Sequence, residues 1–316
     1  MIEALAKSSA GLDVHKETVV CTVLSENTDR QIKKQTRQFG TFRSDLKELA
    51  GWLREAEVEI AVMESTGIYW KSVYEALEDA EVKAYVVNAY HVKNVPGRKT
   101  DVQDSEWLAE LARCGLLRAS FIPPRDLREL RLLTRYRVKL VGTLSAEKNR
   151  LHKILDGCGI RLGNVVSDID GVSARKMIEA LIEGDKEPDE IARLALGRLG
   201  NKQPELKRAL DGKLSDRHRF LLKGIQSHIK WLEDRVREID SQVVAAMKPY
   251  QEEWQLLQTI PGIDKISAAM LLAEVGTDMS RFASKEHLSS WAGMCPGNNE
   301  SAGKKKVAEP EVGTSM

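Results

Sequence analysis

Two adjacent prolines, Pro123 and Pro124 in "FIPPRD", divide this chain into two stretches of different periodicity. Proline ends a helix because it lacks a backbone N–H and its ring collides with the preceding turn. Before the break, strand-like alternation and helical spacing take turns. "AGLDVHKETVVCTVLSE" alternates like a strand that turns and returns, and "QIKKQTRQFGTF" offers a third strand. "FRSDLKELAGWLREA" then has helical spacing through Leu46, Leu49 and Leu53, and "EIAVME" reads as a buried strand. A helix over about 69–80, a strand in "KAYVVNA" and a helix beginning near Asp101 complete the order β-β-β-α-β-α-β-α. That order predicts an α/β domain over 1–120, a mixed sheet with helices packed on it.

After the break the pattern is helical throughout. Arg125 to Leu155 reads as a basic helix, with nine Lys/Arg against three Asp/Glu between Arg125 and Lys153. Arg128, Arg131, Arg135 and Lys139 are its candidate nucleic-acid contacts. A plain solvated helix face is the other reading. "SDIDGVSARKMIEALIEG" opens with cap-forming residues, which assigns Asp168 and Asp170 to capping. Leu222, Ile225, Ile229, Leu232, Val236, Ile239 and Val243 follow a 3-4 spacing over three heptads. Such a stripe predicts a coiled coil and, through it, a homo-oligomer (dimer or tetramer), while a bundle's core helix would show the same spacing. The expected division is therefore 1–120, a helical coiled-coil connector over 121–250, and a small α-helical domain over 251–316.

Bulk properties narrow the function. With 316 residues and a net charge of +1, no global field marks a nucleic-acid binder, so any basic surface must be local. The four cysteines are widely spaced with no CxxC pair, which argues against a zinc site and fits a reducing cytoplasm. The N-terminal residues lack a signal-like apolar region, and no run reaches the roughly 20 apolar residues of a membrane span. A soluble cytoplasmic protein without a membrane partner is expected.

Four carboxylates carry the chemical signal. Asp13 falls in the middle of the first strand, where a charge is costly to bury unless paired or bound to a cation. Glu64 follows the apolar run and so lies at a strand's C-terminal end, the edge where ligands gather in open α/β sheets. Asp101 and Asp104 are three residues apart, on one helix face, just after Arg98 and Lys99. Converging carboxylates repel, and a divalent cation resolves the repulsion. Hard oxygen ligands point to Mg²⁺ or Mn²⁺, which would serve phosphoryl transfer. Each residue also has an ordinary reading: first-turn acids for Asp101 and Asp104, a helix cap for Glu64. Asp13 has none, and His15 beside it reads as a hydrogen-bonding neighbour.

"GLDVHK", "MESTGIYW" and "KTDVQDSEWLAELARCG" together resemble the three signature blocks of the DEDD-type transposases of insertion-sequence family one-ten. The resemblance implies an RNase H-like, RuvC-like N-terminal fold, with Asp13, Glu64, Asp101 and Asp104 as the metal-binding tetrad and Arg98 and Lys99 near phosphate. "IPGIDKISAAMLLAEVG" and "SSWAGMCPGNNESAGK" resemble the same family's C-terminal transposase domain. There it implies Ser301 as the nucleophile that forms a covalent phosphoserine with DNA, flanked by Lys304, Lys305 and Lys306. It further implies a structured non-coding guide RNA that chooses target and donor DNA. "TIPGID" also has the look of a helix-hairpin-helix turn offering N–H groups to phosphate, although Asp264 replaces the second glycine.

One departure is that family members continue with a basic stretch and further helices, whereas "VAEPEVGTSM" follows here. A truncated copy that has lost recombination but still binds nucleic acid is the expectation from that. The rivals to a transposase are a stand-alone metal-dependent, structure-specific nuclease, which would not need Ser301, and an inactive nucleic-acid-binding copy.

Overall fold

The alternation near the N-terminus becomes three antiparallel strands: β1 (Ser8–Val14) pairs with β2 (Thr18–Glu26), and β2 with β3 (Ile32–Gly40). On the other side of β1, β4 (Ile60–Glu64) and then β5 (Ala84–Val87) add in parallel, giving the order β3-β2-β1-β4-β5. The sheet is mixed, as the order of elements predicts. This computed structural model describes residues 6–27, 31–65, 67–88, 92 and 104–294, with the backbone of 300–301 and 304–305. Arg98, Lys99, Asp101 and Lys306 lie outside the described residues, as do the side chains of Ser301, Lys304 and Lys305.

Parallel strands need crossovers, and helices supply them. α1 (Arg43–Glu55) links β3 to β4, and α2 (Trp70–Asp79) links β4 to β5. Both cover one sheet face, where Ala10, Leu12, Val14, Val19 and Cys21 meet Leu46, Leu49, Leu53, Val73 and Leu77. Each buried valine or leucine among them stabilises the fold by about 1.5–3 kcal/mol. α3 (Asp104–Arg113) covers the opposite face, packing Leu108 and Leu111 on Val62 and Val87.

After Pro124 the chain enters α4 (Arg125–Gly157), then α5 (Val172–Glu183), α6 (Pro188–Ala192), α7 (Gln203–Leu210) and α8 (Asp216–Ala246). Leu151 and Leu155 near the end of α4 share a core with Leu222 and Ile229 near the start of α8. Leu127, Leu130 and Leu140 share another with Ile239 and Val243. The two long helices are therefore antiparallel partners. This corrects the expected self-association: Leu222, Ile225, Ile229, Leu232, Ile239 and Val243 are buried within one chain, so this stripe is not available to join copies.

Two shorter helices, α9 (Gln251–Gln258) and α10 (Lys265–Val275), pack Trp254, Ile266 and Leu272 on the second of these cores. Packing divides the chain into two units, Met1–Ile122 with Phe282–Met316, and Pro123–Arg281. Within the first unit, α11 (Lys285–Trp291) forms, and the two-residue strands β6 (Glu300–Ser301) and β7 (Lys304–Lys305) pair with Ser301 opposite Lys304.

Candidate functional site

β1 sorts its side chains by alternation. Ala10, Leu12 and Val14 enter the apolar core, so Ser9, Gly11 and Asp13 point to the face that α3 covers. Gly11 explains how closely the helix can approach. A Cβ there would stand 2.0 Å from the Ser105 carbonyl oxygen and 2.4 Å from the Ala109 nitrogen. No side chain fits, so β1 and α3 meet backbone to backbone.

Hydroxyl groups fix the register of that contact. Ser9 Oγ donates to the Ala109 carbonyl at 2.9 Å. Thr22 Oγ1 lies 2.8 Å from Ser105 Oγ and 3.0 Å from Thr36 Oγ1, so a chain of hydroxyls runs from α3 across β2 to β3. Ser105 and Thr22 are both buried and these bonds satisfy them. At the helix edge, Lys34 reaches Glu106 at 2.9 Å.

Asp104 precedes Ser105 at the start of the pinned helix. It lines an open hollow of about 400 Å³ together with Asp13, Val20, Thr36, Arg37, Gln38 and Ser105. Asp13 keeps 30% side-chain exposure, and its Oδ2 lies 3.0 Å from His15 Nε2. The β1–β4 register pairs Leu12 with Met63, so the next row sets half-buried Glu64 beside Asp13, on the same face. The structure thus brings Asp13 and Asp104 to one hollow and Glu64 into the adjoining strand row. No group of three or more His, Cys, Asp or Glu among the described residues is arranged to hold a metal, and Asp101 lies outside them. Two oxygen donors on an open hollow still fit Mg²⁺, which is commonly held by one or two carboxylates plus substrate phosphates and water.

On the basic helix, three of the four candidate contacts have partners within the protein. Arg131 donates to the Ala273 and Glu274 carbonyls at 3.0 and 2.9 Å, and Arg135 grips the Glu274 carboxylate at 2.9 and 3.0 Å. Both hold the C-terminal end of α10, where free carbonyls and the helix dipole attract cations. Burial pulls the Arg131 guanidinium below its ordinary value, with Glu274 opposing. Arg128 donates to the Pro123 carbonyl at 2.9 Å, and of the four only Lys139 is exposed.

The hairpin turn ahead of α10 differs from expectation. Asp264 caps α10 by accepting from the Ser267 N–H at 2.7 Å, so a carboxylate already occupies the place a phosphate would take. That bond holds the Asp264 carboxyl below its usual range. Asp168 and Asp170 are not helix caps either. Asp168 accepts from the Asp170 N–H, while Asp170 joins Arg175 and Lys148 in an ion-pair network with Glu233. Gly171, one residue past the acidic pair, occupies the cap position of α5 without a side-chain bond.

Gly11, Thr22, Thr36, Gln38 and Ser105 were not singled out by sequence. The signal was present in the alternation: opposite the core, Ser9, Gly11, Thr22, Thr36 and Gln38 are small or polar, with Val20 an apolar exception beside Asp13.

Two family models match the sequence and define the class of protein. A family model described as "Transposase", of the DEDD type of IS110, matches residues 10–160. A second, described as "Transposase IS116/IS110/IS902 family", matches residues 254–311. The chain is thus a transposase, and it belongs to the IS110 family. No curated protein matches it. Among solved structures it is similar to RuvC from Thermus thermophilus, with 16% identity over 36% of this chain and 99% of that one, at a TM-score of 0.26. A second similar structure is T. thermophilus RuvC in complex with Holliday junction substrate, with 15% identity over the same shares and the same TM-score of 0.26. No helix among the described residues is long and apolar enough to cross a membrane.

Proposed function

We propose that this transposase cuts and rejoins DNA strands, with Asp13, Glu64, Asp101 and Asp104 holding Mg²⁺ (or Mn²⁺) and Ser301 as nucleophile. The observation that carries the reading is the hollow shared by Asp13 and Asp104, which exists because Gly11 lets α3 settle directly on β1. When bound, the cation supplies charge stabilisation to a phosphoryl group. Asp13 and Asp104 hold the negative charge that places it, and His15 steadies Asp13 through its 3.0 Å contact. Ser301 Oγ forms a bond to phosphorus while the bond from phosphorus to the leaving strand oxygen breaks. The serine's proton passes to that oxygen, which departs as a hydroxyl.

Arg98, Lys99, Lys304, Lys305 and Lys306 would meet phosphates, and exposed Lys139 would add a contact from α4. A structured guide RNA selects donor and target in this reading. The protein works in the cytoplasm as a homo-oligomer, through a surface other than the buried α4–α8 seam.

The test is cleavage of DNA carrying the element's ends, in Mg²⁺, by the unaltered protein, Asp13→Asn and Ser301→Ala, alongside sequencing of co-purified RNA. Asp13→Asn should bind DNA without cutting it, and Ser301→Ala should give no covalent protein–DNA adduct. Undiminished cutting by Ser301→Ala would replace this reading with a stand-alone metal-dependent nuclease. Equal absence of turnover in all three proteins would leave a nucleic-acid-binding protein.

A further inference from the structure

We infer that Gln38, on the edge strand β3, forms a subsite that holds the DNA strand being cut, alongside Asp13 and Asp104. The inference rests on the cleavage reading above and names a substrate contact for that site. It starts from register. Asp13 pairs with Val20 and Val20 with Gln38, so the three form one row across β1, β2 and β3. Residues directly opposite in an antiparallel pair share a face. The face is the one α3 covers, as the neighbouring row shows: Gly11, Thr22 and Thr36 stand beside Ser105 there. At the strand spacing of about 4.8 Å, the row from Asp13 to Gln38 spans about 10 Å, roughly three steps of a B-form strand.

Gln38 differs from its neighbours in being uncommitted. Thr36, Thr22 and Ser105 bond to one another, and Lys34 is paired with Glu106. Gln38 is exposed and its amide has no partner among the described residues, yet it lines the same hollow as the two aspartates. Among the described residues no strand lies beyond β3 in the sheet, so a polymer can leave the hollow in that direction.

The chemistry of the amide suits the place. A lysine or arginine on this row would be drawn to Asp13 and Asp104 and would compete with a cation there. A carboxylate would add to their repulsion and repel phosphate. A neutral amide offers two donors to a phosphate oxygen, or an acceptor to a sugar or base edge, without disturbing the charge balance.

The experiment compares the unaltered protein with Gln38→Ala and Gln38→Glu. It measures KM and kcat on end-bearing DNA, and Kd for the same DNA by fluorescence anisotropy. Gln38→Ala should raise KM and Kd about tenfold, the loss of one hydrogen bond to a charged group, with kcat changed less than about twofold. Gln38→Glu should weaken binding further, since it sets a negative charge against the strand. The melting temperature should hold in both, because the side chain is exposed and unbonded. Unchanged KM and Kd in both variants would overturn the inference, and so would a fall in kcat at constant KM. Should Asp13→Asn cut DNA normally, the cleavage reading would fail by itself, and the Kd series would still decide whether Gln38 holds DNA.

Discussion

The sheet unit and the helical unit use charge in opposite ways. Around the hollow of the sheet unit, the hydroxyls satisfy one another and leave Asp104 and Gln38 facing solvent. In the helical unit, several cations are matched to acids. Arg135 is held by Glu274, Arg137 by Asp240, and Arg175 by Asp170 and Glu233. Part of the local excess of nine basic residues over three acidic ones is thus matched once Asp170, Asp240 of α8 and Glu274 of α10 are counted in. Sequence charge counts along one helix; folding counts across helices. Polar groups left without a protein partner are the better guide to function.

That contrast can be broken at its hinge. Gly11→Ala should remove at least about 3 kcal/mol of stability, the upper range for overpacking, because a methyl would lie 2.0 Å from a backbone oxygen. Denaturant unfolding measures it, and a near-neutral result would mean that α3 does not rest where described.

Asp104→Asn should next lower DNA cleavage more than about 100-fold, since even outer-shell changes at metal sites cost 10–100-fold. Its stability should fall by less than about 1 kcal/mol, the worth of a first-turn acid. A stability loss without an activity loss would turn Asp104 into a helix-start residue only.

In the helical unit the expected signs reverse. Glu274→Ala should cost about 1–3 kcal/mol by stripping Arg131 and Arg135 of a carboxylate partner, with DNA affinity unchanged. A rise in affinity as the arginines are released would restore α4 as a nucleic-acid surface.

Asp170→Asn should show a smaller, pH-bound effect of about 1–2 kcal/mol, between an exposed and a buried pair. Burial alone would raise the Asp170 carboxyl, but hydrogen bonds from Arg175 and Lys148 more than reverse it and hold it below the usual carboxylate range. A depressed carboxyl adds stability above its unfolded value and loses it as pH falls through the folded one. The gap between variant and unaltered protein should thus be full near neutrality and close progressively below about pH 4. Last, Lys139→Ala should change stability by under about 0.5 kcal/mol and flatten the salt dependence of DNA binding by about one counterion.

Much of the fold was legible because its signals are local. Alternation in β1 and β2, the leucine spacing of α1 and the proline break at Pro123 each act within a few residues. Asp13 could be flagged by the same logic, as a charge within a strand, although it lies one residue from the C-terminal end of β1 and not at its centre. What was hidden depends on distant partners. The α8 stripe reads identically whether its partner is another copy or α4, and only packing decides. Arg131 and Arg135 answer to Glu274, which no spacing rule connects to them. Gly11 looks like any strand glycine until the helix that lies on it is placed.

The same placement sets when the site comes into being. Ser9 and Ala109 are 100 residues apart in sequence, and Thr22 and Ser105 are 83 apart. Contacts of such separation form late, because loop-closure entropy must be overcome before they add stability. A chain still emerging from the ribosome can complete β1 through β3 but has no α3 to bring Asp104 to Asp13. Asp13 and Asp104 stay apart until more than one hundred residues have been made and docked, so the hollow that the two carboxylates line is absent from an unfinished copy.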